Sequence, residues 1–165
     1  MSKQSSYTRP QTFWLVALRM LIGWHFLYEG LVKLLNPNWS AAPYLMDSQG
    51  WFSSFFQDLA NNPTALSVVN TLNIYGLILI GLGLIMGCLS RYASIGAIIA
   101  LCFYYLSHPP FTGIDFSMPS EGSYLWIDKN VIEICAIMVL LYFPTSHIFG
   151  LDKYLSKFVQ KRQKN

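Results

Sequence analysis

Between Thr12 and Leu35 the chain reads TFWLVALRMLIGWHFLYEGLVKLL. The run is long enough to cross a bilayer, which takes about 20 mostly apolar residues. Yet it carries Arg19, His25, Glu29 and Lys33. Ionisable groups are costly in hydrocarbon and mark an intramembrane site by default. On a helix advancing about 100° per residue, the four fall within an arc of roughly 120°. Leu15, Ile22 and Phe26 share that arc, whereas Met20, Trp24 and Tyr28 lie outside it. Gly23 and Gly30 stand at its edge, where a second backbone can come close. One face of this helix is therefore expected to meet protein, and the other lipid.

Composition agrees with a membrane-embedded domain. Of 165 residues, 53% are hydrophobic and 12% charged, against about 25% charged in a typical soluble domain. A net charge of +3, concentrated in the C-terminal tail, is too small to suggest a nucleic-acid partner. Cys88, Cys102 and Cys135 are isolated within apolar runs. They form no C-x-x-C, zinc or haem-attachment spacing and read as small buried hydrophobes. Lys3 and Arg9 precede the first apolar run as in a signal peptide, but Arg19 interrupts it and no small-x-small site follows. The expectation is an uncleaved first transmembrane helix.

The rest of the chain divides by its breakers. Pro37 should end the first helix near Asn36. The aromatic stretch that follows suits a membrane–water boundary, with a short interfacial helix at Trp51–Ala60 presenting Trp51, Phe55, Phe56 and Leu59 on one side. Thr64 is the expected N-cap of a second span, residues 65–89. In that span Gly76, Gly83 and Gly87 share a face that would pack on the Gly23/Gly30 edge. Ser90 and Arg91 form the expected turn into a third span, residues 91–107. A loop from His108 leads to a fourth span, residues 124–143, ended by Pro144. Residues 147–165 form a basic amphipathic tail suited to an anionic surface. The expectation is one all-α domain over residues 1–165: a polytopic four-transmembrane-helix bundle with that interfacial helix and tail.

Basic residues fix the expected orientation. Lys3, Arg9, Arg91, Lys153, Lys157, Lys161, Arg162 and Lys164 fall on one side, so both termini are expected in the cytoplasm. The first and fourth helices are then antiparallel. Counting depth at about 1.5 Å per residue pairs Lys33 with Asp128, Glu29 with Asn130 and His25 with Glu133, with Arg19 a turn or two deeper. Matched opposite charges would offset their burial. Two readings stay open for this network of Arg19, His25, Glu29, Lys33, Asp128, Asn130 and Glu133: a structural lock on helix register, or a polar pocket in which His25, Glu29 and Glu133 handle protons. His25, His108 and His147 lie at different levels, so neither haem nor another metal is expected. Tyr104 and Tyr105 could hydrogen-bond a quinone head group, or simply belong to the aromatic belt.

The run Arg19, Gly23, Phe26, Gly30, Lys33, together with Glu133, resembles the DoxX family. Asn36-Pro37-Asn38-Trp39-Ser40, Tyr105-Leu106-Ser107-His108-Pro109-Pro110 and Gly150-Leu151-Asp152 resemble its branch containing the DoxD-like subunit of thiosulfate:quinone oxidoreductase. The resemblance implies a four-helix protein of the bacterial inner membrane, sometimes part of a quinone-linked oxidoreductase. The expected function is a subunit that docks a periplasmic or membrane oxidoreductase and passes reducing equivalents to quinone. The alternatives are a non-catalytic scaffold for a periplasmic partner and, ranked last, a small-solute transporter, whose four helices would enclose a path only as a homo-oligomer.

Overall fold

The computed structural model describes residues 7–111, 113, 116–117 and 125–153. These residues are helical apart from short connections. Helix α1 (Arg9–Leu35) opens on a reciprocal cap: the Thr8 side chain accepts from the Gln11 backbone N–H, and the Gln11 side chain accepts from that of Thr8. It stops at Asn36, just ahead of Pro37. Two short helices, α2 (Ala42–Met46) and α3 (Ser53–Asn61), follow. They gather Ala41, Leu45 and Phe56 into a small core against Leu59, Leu66 and Val69, while Trp51, Phe52 and Phe55 remain exposed. Phe56 and Leu59 thus pack into this core, while Trp51 and Phe55, expected on the same side of the interfacial helix, do not.

One long rod comes next, built from α4 (Pro63–Thr71), a π-helical turn (Leu72–Gly76) and α5 (Leu77–Met86). Its N-cap is Asn62, which accepts from the N–H groups of Thr64 and Ala65. Thr64 is therefore inside the helix, because Pro63 fits the first helical position, where no N–H is needed. The rod ends at Gly87 in a left-handed conformation, the usual place for glycine after a helix. The turn into α6 (Ser90–Ser107) is residues 87–89 rather than Ser90 and Arg91, which already belong to the helix. Helix α7 (Lys129–Tyr142) starts well after residue 124, because Asp128 caps it by accepting from Val131 N–H. The tail expected over 147–165 lies mostly outside the described residues.

Helix α1 packs along α5, α5 on α6, α6 on α7, and α7 returns to α1. Their shared core is Ile22, Phe26, Leu77, Leu84, Ala97, Leu101, Ile137 and Leu140. Around it the circumference is apolar and uncovered: Leu21, Trp24, Leu79, Ile99, Phe103 and Ile132 are all exposed. An exposed apolar surface that continuous marks a membrane face. Arg9–Leu35 and Pro63–Met86 are both long and apolar enough to cross a bilayer.

The close approach of α1 and α5 is made by glycines, though not all of those expected. A Cβ at Gly23 or Gly30 would press on Ile85 or Ile78. The matching position on the rod is Gly81, where a Cβ would come within 2.5 Å of Leu27 N and 2.7 Å of Gly23 O. Gly83 instead faces Ala93 of α6, Gly76 faces open space, and Gly87 is the cap. Gly83 and Gly87 are thus used elsewhere, and the seam runs through Gly81, between the π turn and Gly83. Two of the three cysteines, Cys102 and Cys135, are exposed on the apolar surface, and Cys88 is half-buried. A thiol has too little polarity to be driven inward when the surroundings are lipid.

Candidate functional site

Among the described residues the polar groups gather in several separate places. Near the middle of α1, His25 Nδ1 lies 2.8 Å from Glu133 Oε1 of α7. A carboxylate in that position holds the imidazole with a proton on Nδ1 and leaves Nε2 as the exchanging nitrogen. The Glu133 side chain is 14% exposed and that of His25 44% exposed. The pair therefore sits at the bundle surface, with its carboxylate sheltered and its imidazole presented outward. Glu29 and Lys129 act on His25 electrostatically.

The other two depth-matched pairs do not form. Lys33 turns along its own helix to Glu29, at 2.6 Å, and lies over the Trp39 ring at 5.7 Å. Asp128 is occupied as the α7 cap and accepts from the Asn130 side chain at 2.6 Å. Local partners one helical turn away win because no backbone has to move to reach them. The Glu29 side chain, 49% exposed, shares the outward stripe with His25 instead of facing the core.

Tyr104 and Tyr105 both already donate their hydroxyl protons. Tyr104 Oη gives its proton to Asn73 Oδ1 at 2.6 Å, and Tyr105 Oη to Trp126 O at 3.0 Å. Asn73, which sequence reasoning passed over, is a polar residue within the π turn, and such turns recur at functional positions. Its signal was legible as an amide inside an apolar run.

The aromatic end is pinned by Ser48, whose hydroxyl donates to Ser107 O at 2.8 Å, and by His108. The His108 ring stacks on Tyr44 at 3.9 Å and lies tilted against Phe116 at 4.6 Å, with Nε2 3.7 Å from Asp47. Burial pushes the His108 pKa below its ordinary value despite the Asp47 carboxylate. A histidine held neutral in the fold takes its proton first in the unfolded chain. Its stabilising effect is complete above the ordinary histidine range and is lost as pH falls through that range toward the folded value. The α2–α3 cap should accordingly become more susceptible to protease as pH drops from 8 to 5.5, and His108→Asn should flatten that dependence.

Arg19 stands apart from all of these. It is 4% exposed and reaches the chain beyond α7. Nη1 donates to Thr145 Oγ1 at 3.3 Å and Nη2 to Phe149 O at 2.5 Å. The same segment clasps the α5–α6 turn. Leu151 N–H donates to Met86 O, Asp152 N–H donates to Gly87 O, and Gly150 lies against Gly87. The Asp152 carboxylate accepts from Leu89 N–H at 2.7 Å and from Ser90 N–H and Oγ. Burial alone would raise the Asp152 pKa, but hydrogen bonds from Leu89, Ser146 and Ser90 hold it below the ordinary carboxylate value. Of these residues the sequence had singled out Gly150-Leu151-Asp152 only as part of a family resemblance.

An all-α chain with an apolar girdle and charged groups set into it belongs to the membrane proteins. The DoxX family model matches residues 14–109, and the chain belongs to that family. The match spans α1 to α6 and does not separate the branches of the family; α7, with Glu133, lies beyond it. No curated protein and no solved structure matches the chain. Among the described residues no group of three metal-capable side chains comes together.

Proposed function

We propose that this protein is a subunit of a quinone-linked oxidoreductase of the bacterial inner membrane, related to the DoxD-like branch. In this reading α1, the Pro63–Met86 rod, α6 and α7 all cross the bilayer. The end carrying Arg9, Arg91 and Lys153 faces the cytoplasm, and the acidic and aromatic end with Asp47 and Asp58 faces outward. A periplasmic or membrane partner docks there and supplies electrons.

The observation that carries the reading is the His25–Glu133 pair, 2.8 Å apart with its imidazole turned toward the apolar surface. A quinone diffusing in the hydrocarbon would meet that nitrogen directly. Reduction to quinol takes two electrons and two protons. The partner provides the electrons; His25, recharged through Glu133 and Glu29, provides protons at the quinone oxygens. Tyr104 and Tyr105, with their hydroxyl protons engaged inside the protein, have no part in this step.

The test is purification of the protein from native membranes in mild detergent, followed by extraction of bound quinone and assay of quinone reduction with whatever co-purifies. Retained quinone together with turnover supports the assignment. A protein that retains none, and whose removal leaves quinone reduction unchanged, is a scaffold instead.

A further inference from the structure

Arg19 raises a question the quinone reading does not answer. A guanidinium stays charged at any physiological pH, and a buried charge is costly without a counter-charge. Among the described residues no carboxylate lies within 4 Å of it. Asp152, the acidic group that acts on it at longer range, is already committed to the N-terminus of α6. Both of Arg19's hydrogen bonds go to neutral oxygens, and its Nε–H, fully shielded, has no partner.

The same side chain lines a cavity of about 130 Å³ between the start of α6 and the turn after α7, with Arg91, Ser94, Ser146 and Asp152 also on its wall. Ser94 is buried and Arg91 exposed. The space is several times a water's share of about 30 Å³, enough for a tetrahedral oxyanion. Its wall offers a buried planar donor, hydroxyls and a second cation, the set that recognises such groups; the Asp152 carboxylate on the same wall is turned to the Leu89 and Ser90 N–H groups.

We propose that this pocket binds a phosphoryl oxyanion, with Arg19 as its central ligand, Ser94 as a hydroxyl donor and Arg91 at its rim. The group can arrive as free phosphate or as the headgroup phosphate of a surrounding lipid. Either source balances the Arg19 charge and locks the clasp between the α5–α6 turn and residues 145–152. The site is independent of the His25–Glu133 pair.

The full chain is tested in two arms. In detergent, thermal unfolding is followed in potassium phosphate and in potassium chloride of equal ionic strength. In vesicles of digalactosyldiacylglycerol, a lipid without phosphate, it is followed with and without phosphatidylglycerol. Free phosphate as ligand raises the midpoint in the first arm; a lipid headgroup raises it only in the second. In whichever arm responds, Arg19→Lys, which keeps the charge but loses the planar fork, should weaken binding about tenfold or more. Ser94→Ala should weaken it several-fold and serves alone if the arginine variant does not fold. No rise in either arm, or a rise of equal size in the variants, overturns the proposal.

Discussion

Gly81→Val should cost this protein more stability than any other single change in the α1–α5 seam. The added Cβ would fall 2.5 Å from Leu27 N and 2.7 Å from Gly23 O. These are backbone atoms of a continuous helix, so no side-chain rotation can relieve the overlap. The two helices must separate, and the packing of Leu84 and Phe26 in the shared core loosens with them. Overpacking of this kind costs about 3 kcal/mol at the upper end of its usual range. In lipid, where close van der Waals contact is a main source of helix association, little else compensates. Unfolding followed by circular dichroism as SDS replaces a mild detergent should register the loss. Gly76→Ala is the control: a Cβ there meets nothing within 4 Å, so it should be neutral or stabilising by up to about 1 kcal/mol. Equal behaviour of the two variants would show that Gly81 does not form the α1–α5 seam.

The second large effect concerns chemistry. Under the proposed function, His25→Ala should lower quinone-linked turnover about a hundredfold or more, the usual worth of a positioned general acid or base. Glu133→Gln should lower it nearly as far, because an amide still contacts the imidazole but supplies no negative charge. Residues that act as one unit are not additive, so the double variant should be no slower than His25→Ala alone. A purely structural pair predicts the opposite pattern: reduced folded yield, with unchanged turnover per folded molecule. Turnover normalised to folded protein, measured across the three variants, separates the two.

The opening helix was legible before any coordinates. Its length, its end before Pro37, and the inward facing of Arg19, Gly23, Phe26 and Gly30 all follow from composition at a 3.6-residue period. The same period placed His25 and Glu29 with the buried group, but the structure leaves both side chains nearly half exposed. An arc of 120° is wider than the strip that a neighbouring helix covers, and period alone does not say where the strip ends. The glycines of the α1–α5 seam were misread for a related reason. Gly81 and Gly83 are equally small, and only the shape of the facing ridge on α1 decides which one is used. Asp128 was read as part of a span because apolar residues precede it, yet its carboxylate is better used as a cap. Arg19's true partners, Thr145 and Phe149, are more than a hundred positions away in sequence, and no local pattern announces such a contact.

The π turn at Leu72–Gly76 also sets how the two halves of the long rod depend on each other. Leu66 and Val69, ahead of the turn, are keyed to the Phe56 cluster of the aromatic cap, and Gly81, beyond it, is keyed to α1. A wide turn accommodates one residue more than an α-helix of the same rise. Drawing the same residues into a uniform α-spiral, with none removed, would swing one half by about 100° relative to the other. The cap and the intramembrane seam could then no longer both be seated. The wide turn works as a phase adjuster, absorbing one residue so that two surfaces out of step in an α-spiral share one axle.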